Sequence, residues 1–182
     1  MLIRLSRLLL GFALLASLAL HAQDVTSAWF ADGRFFEESA SQRMTNGFGG
    51  RLDFTDDPNF ILHWRTNWSS ISSIKPLERV YIVLFVAGNH DAEDQDVVYD
   101  ITIKFPDGSV CSHFTNQPAV KQKATPALGL PAAGPTLRLS RRSTVFYTDP
   151  PDPAGSYTVE VELRDRLRKT SVKLTKQLNV IK

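Results

Sequence analysis

The sequence predicts an all-β fold, an antiparallel sandwich of about seven to nine strands behind an export signal. Three observations carry that expectation. Apolar and polar residues alternate with period 2 through much of the chain after residue 45. Pro, Gly and Asp punctuate these runs, at roughly 10-residue spacing in places. No segment beyond the N-terminal stretch carries a helical apolar stripe.

Met1 to Ala22 has the three parts of a secretory signal. Arg4 and Arg7 supply the positive end, Leu8 to Leu20 form a 13-residue apolar run, and Ala22 is small. Thirteen residues are too few to span a bilayer of roughly 30 Å, so cleavage is expected rather than stable membrane insertion. The predicted organisation is a signal peptide over 1–22, an aromatic strap over 23–45 and a sandwich over 46–182. Within the strap, Trp29 to Phe36 reads as a small hairpin around Asp32-Gly33.

Strands are predicted at Gly49–Phe54 and at Phe60–Arg65, where Phe60, Leu62 and Trp64 share a face. Val80 to Ala87 is apolar on both faces, so a cover is expected over its second face, either the N-terminal strap or a partner. In Val97–Phe105 the residues Val97, Tyr99, Ile101, Ile103 and Phe105 fall on one side. Pro106-Asp107-Gly108 turns the chain into Ser109–Phe114. Val110 and Phe114 mark the inward side of that strand. Residues 116–135, rich in Pro, Ala and Gly, read as a long loop. Thr136–Leu139 and Ser143–Tyr147 are short strands. Tyr157, Val159, Val161 and Leu163 alternate cleanly, and Val172, Leu174, Leu178 and Val180 form a last core face interrupted by Lys176.

The corner before Tyr157 resembles that of immunoglobulin-like domains. There an acidic residue and a glycine precede a tyrosine, and a cysteine follows two positions later. Here Gly155 and Tyr157 keep the spacing, Val159 takes the cysteine position, and Asp152 stands one residue early. The resemblance covers about 30 residues and implies that the tyrosine hydroxyl bonds back to the chain and pins the corner. It implies a fold and no activity.

Charge excludes one class of partner. Without Arg4 and Arg7 the chain holds 19 bases against 19 acids, so the basic isoelectric point belongs to the precursor and nucleic acid is not an expected partner. The charges are unevenly placed. Gln23 to Asp100 holds 13 acids and 6 bases, while Arg164 to Lys182 holds 7 bases and one acid. Pairing of the two ends within one fold is the plain expectation. The single cysteine, Cys111, can form no internal disulfide, which leaves a half-buried inert thiol or an intermolecular bridge.

Local catalytic motifs are absent. There is no Gly-x-Ser-x-Gly, phosphate loop or His-Glu-x-x-His, and His63, His90 and His113 have no metal-ligand spacing. The chain is therefore expected not to be an enzyme. Its expected role is a periplasmic or extracellular module that binds an envelope or extracellular protein, with a homodimer as one form. Tyr81, Val83 and Phe85 are the candidate docking patch, with Lys173 and Lys176 on a basic last strand as an electrostatic edge.

The alternative is a carbohydrate-binding module. Trp29 and Trp68 would stack on sugar rings. The acidic loop carrying Asp91, Glu93, Asp94 and Asp96 would then offer oxygen ligands to calcium. The plainer account of that loop is a solvated hairpin tip. No other cofactor is expected.

Overall fold

The computed structural model describes residues 39–45, 47–63, 69–88, 94–122, 136–140 and 143–182, within a compact unit of Phe36–Lys182. The predicted signal, the Trp29–Phe36 hairpin, Trp64 and Trp68 lie outside the described residues. Among the described residues there are ten strands and one helical turn. The strands are β1 (Gln42–Thr45), β2 (Phe48–Thr55), β3 (Ser73–Ile74), β4 (Val80–Gly88) and β5 (Gln95–Lys104), followed by β6 (Val110–Gln122), β7 (Thr136–Leu139), β8 (Thr144–Phe146), β9 (Gly155–Asp165) and β10 (Thr170–Val180). The turn, α1, is Phe60–His63. The fold is an all-β sandwich of two five-stranded sheets.

One sheet runs β1-β2-β4-β7, with β8 pairing a second stretch of β4; the other runs β3-β10-β9-β5-β6. All pairings are antiparallel except β3 with β10. The core lies between the sheets. Leu52, Phe54, Ile82 and Leu84 come from the first sheet, and Ile101, Val161, Leu163 and Leu174 come from the second. Each side chain of this kind contributes roughly 1.5–3 kcal/mol on burial. Gly50 lets the layers approach here, since a Cβ at that position would stand 2.3 Å from Leu163 Cδ1.

Turn chemistry sets two of the connections. Gly108 takes φ +87° at the end of the Pro106-Asp107-Gly108 turn, where the Asp107 carboxylate accepts from Ser109 N at 2.8 Å. The predicted corner bond is present: Tyr157 Oη donates to Pro153 O at 2.9 Å. Phe105 and Phe146 flank the same ring, with centroids 5.7 and 5.6 Å away. Burial, then the Asp152 charge, push the Tyr157 hydroxyl above its ordinary pKa, as a buried donor requires. The immunoglobulin-like resemblance therefore holds at the level of the fold.

Four expectations need correction. Phe60–His63 is a helical turn rather than a strand, because Asn59 and Asp57 tighten the chain just after β2. The sandwich includes Gln42–Thr45, which pair with Phe48–Arg51, so it starts before residue 46. Strand β6 continues to Gln122 through residues read as loop, because bulges and the positive φ of Asn116 carry an irregular sequence along β5. On that strand Val110 and Phe114 are exposed, and Cys111 packs against the core.

Candidate functional site

Strand β4 explains where a docking surface can lie. Its core-facing residues are Val80, Ile82, Leu84 and Val86, so Tyr81, Val83 and Phe85 turn to the other face. Val83 and Phe85 are fully buried, and Tyr81 is half-buried. A patch formed by Tyr81, Val83 and Phe85 together is therefore corrected, since two of its three members have no accessible surface. What remains open is the Tyr81 end of the face. Val145, directly opposite Tyr81 in register, is 48% exposed, and Tyr147 two residues on is 55% exposed. Phe60 lays its ring 5.8 Å from that of Tyr81, which brings exposed Ile61 and Leu62 to the same end. Leu77 is also exposed, tied to this end by Leu77 N donating to Thr148 O at 2.8 Å.

An open groove of about 540 Å³ adjoins Tyr81. Ile71, Ile74 and Tyr81 give it apolar walls, and Asp56, Glu78 and Arg79 give it charge. Strand β3 forms one side of it, paired to β10 along its other edge.

The lysines predicted to form a docking edge separate. Lys173 is exposed on the outer side of β10, opposite Glu162 in register. Lys176 falls in the inward row between Leu174 and Leu178, which is why it interrupts the apolar pattern. It is corrected from docking residue to structural cation. Its ammonium bonds the fully buried Asp53 carboxylate and stands 5.4 Å from the centre of the Phe54 ring. Arg51 Nη2 bonds the same carboxylate at 2.8 Å, Ser70 Oγ donates to it, and Phe54 N donates at 3.1 Å. Burial alone would raise the Asp53 carboxyl, but the Lys176 and Ser70 hydrogen bonds and the two cations outweigh it and hold the pKa below its ordinary value. Lys176 Nζ also lies 3.2 Å from Ser70 Oγ. Lys176, Ser70 and Asp53 thus form one hydrogen-bonded cluster that ties β10 to β2. Asp53 and Ser70 escaped sequence reasoning, although the lysine in an apolar row was a signal that a buried anion had to face it.

Ion pairs cross the outer face between β9 and β5. Arg164 grips Asp100 in bidentate fashion, with Nη2 to Oδ1 at 2.8 Å, and Lys104 meets Glu160 at 2.7 Å. The Arg164 hydrogen bond, helped by Asn116 N, holds the Asp100 carboxyl below its ordinary pKa. Asp53 with Lys176 and Asp100 with Arg164 thus join the acidic and basic ends of the chain inside one fold.

Of the acidic loop, Asp91 and Glu93 lie outside the described residues. Asp94 and Asp96 stand at the start of β5, where Asp96 O accepts from Arg166 N at 2.9 Å. Among the described residues no group of three His, Cys, Asp or Glu is arranged to hold a metal. Trp29 and Trp68, the candidate sugar platforms, lie outside the described residues.

No protein-family model matches the sequence, and no curated protein matches it. Among solved structures, the C-terminal domain of Wzt is 11% identical at a TM-score of 0.48, over 81% of this chain and 84% of that one. The CARDB domain of the Pyrococcus furiosus PF1109 protein, solved with di-metal ions, is 7% identical at 0.41, over 79% and 97%. Neither likeness assigns an activity, a ligand or a partner.

Proposed function

We propose that this chain is an exported, non-catalytic β-sandwich module that binds a protein partner in the periplasm or outside the cell. One observation carries the reading. The outward face of β4 is closed at Val83 and Phe85, yet it opens at Tyr81 into a patch of Val145, Tyr147, Ile61 and Leu62. Exposed apolar and aromatic residues on the strands and turn around Tyr81, beside a charged groove, have the make-up of a protein interface, with an apolar centre and a polar rim. The missing catalytic motifs and the tripartite N-terminal segment support the non-catalytic and exported parts of the reading.

The test is capture from envelope extracts of the source cell, using tagged protein that begins at Gln23. Wild-type protein is expected to retain a stoichiometric protein partner. A Leu62→Ser, Tyr147→Ser double variant with an unchanged thermal midpoint is expected to lose it, because both residues are exposed. Retention of no protein, or of one indifferent to these changes, overturns the reading.

A further inference from the structure

In a parallel ladder alternate residues turn their N–H and C=O to one neighbour and then to the other. Asn179 N donates to Ser72 O and Ile181 N donates to Ile74 O, both at 2.9 Å, so Ser72 and Ile74 face β10. Ile71, Ser73 and Lys75 therefore face the opposite way. Two of these are occupied: Ile71 N donates to Phe54 O at 3.0 Å, and Lys75 N donates to the Glu78 carboxylate at 2.7 Å. Ser73 stands between them, exposed, and lines the groove beside Tyr81. The edge of the second sheet is thus capped on both sides of Ser73, whose own N–H and C=O turn outward.

We infer that this groove receives an extended polypeptide segment, which adds to β3 through the outward N–H and C=O of Ser73. The inference rests on the partner-binding reading and specifies the part of the partner that makes contact. Strand addition takes its affinity from main-chain bonds and its selectivity from alternate side chains. Here one side chain of the incoming segment lies against Tyr81 and Ile71. The groove presents two carboxylates, Asp56 and Glu78, against the single guanidinium of Arg79, so a basic residue on the segment is the complementary choice.

The probe is a phage-displayed library of random 12-residue peptides selected on the wild-type chain. Selected peptides are expected to share a basic residue flanked by alternating apolar ones. Ser73→Pro removes the outward N–H and leaves the β10 ladder intact, because that N–H lies outside it. It is expected to weaken the selected peptides about tenfold. A second measurement is independent of any folding defect in that variant. N-methylation of the peptide amide that pairs with Ser73 C=O abolishes binding to the wild type, and methylation of the next amide is tolerated. Absence of enriched peptides, or binding indifferent to both changes, overturns the inference. A captured partner that needs Tyr147 but ignores Ser73→Pro overturns the strand addition alone, whereas failure to capture any partner overturns the reading beneath it.

Discussion

The two sheets solve the same problem in different ways. In the sheet built on β9, half-buried and buried residues alternate from Ser156 to Asp165. Its outward residues Glu160 and Arg164 meet Lys104 and Asp100, and Glu162 lies 3.7 Å from Arg164, in a partly exposed layer of ion pairs. In the other sheet, every residue of β4 from Ile82 to Gly88 is buried. One sheet is held from a single side and keeps its second side wet. The other needs apolar side chains on both. The lesson is that a strand without alternation reports a covered face, and that any docking surface on it is found where the cover ends.

The largest expected effect tests that contrast directly. Val83→Asp places a charge at a site with no accessible surface, directly opposite the buried Asp53 in register. An uncompensated buried charge facing a like charge is expected to cost more than about 4 kcal/mol and to leave the chain largely unfolded. Thr158→Asp, half-buried on the outer side of β9, is expected to cost no more than about 1 kcal/mol. Circular dichroism melts of the two proteins compare them. Equal stability would mean that the outward face of β4 is as open as that of β9.

A smaller effect is expected where the two sheets exchange charge. Lys176→Met removes one of two cations from the buried Asp53, leaving Arg51 and Ser70, and is expected to cost about 3 kcal/mol in denaturant titrations at neutral pH. The same cluster fixes the sign of an acid effect. The folded pKa of Asp53 lies below its ordinary value of 3.8. Its contribution is therefore fully present above the unfolded pKa and is lost as pH falls from there through the lower folded pKa. Stability measured across that window is expected to fall in the wild type and to flatten in Asp53→Asn. An unchanged slope would remove Asp53 as the linked group.

The contrast between the sheets also sets what was legible. Tyr157, Val159, Val161 and Leu163 declare their strand because each alternate residue meets water, and the corner bond to Pro153 follows from the spacing of Gly155 and Tyr157. Val80 to Ala87 declares its burial but not which part of its face stays open. That depends on Phe60 and Val145, which reach Tyr81 from distant points in the sequence. Phe60–His63 reads as a strand in sequence yet forms a helical turn, because a four-residue run is too short for a period of 2 to be told from one of 3.6. Strand β6 ran past its predicted end because bulges break period 2 without ending the pairing. The Asp53 cluster joins residues 123 positions apart, and only Lys176, misplaced in an apolar row, hinted at it.

The smallest expected effect lies on the wet side. Arg164 makes a bidentate bond to Asp100 and a looser contact with Glu162 at 3.7 Å, and all three side chains are partly exposed, Arg164 at 31%. Water and salt screen such pairs, so Arg164→Gln is expected to cost below about 1 kcal/mol. The cost should shrink further when ionic strength rises from about 0.05 to about 0.5 M, as the Debye length contracts. Asp100 loses the hydrogen bond that holds its pKa down, so its titration by NMR should move up toward the ordinary carboxylate value in the variant. A loss comparable to that of Lys176→Met, insensitive to salt, would mean that the outer layer of the β9 sheet is as integral as the buried cluster. The distinction between a sheet held from one side and a sheet held from two would then fail.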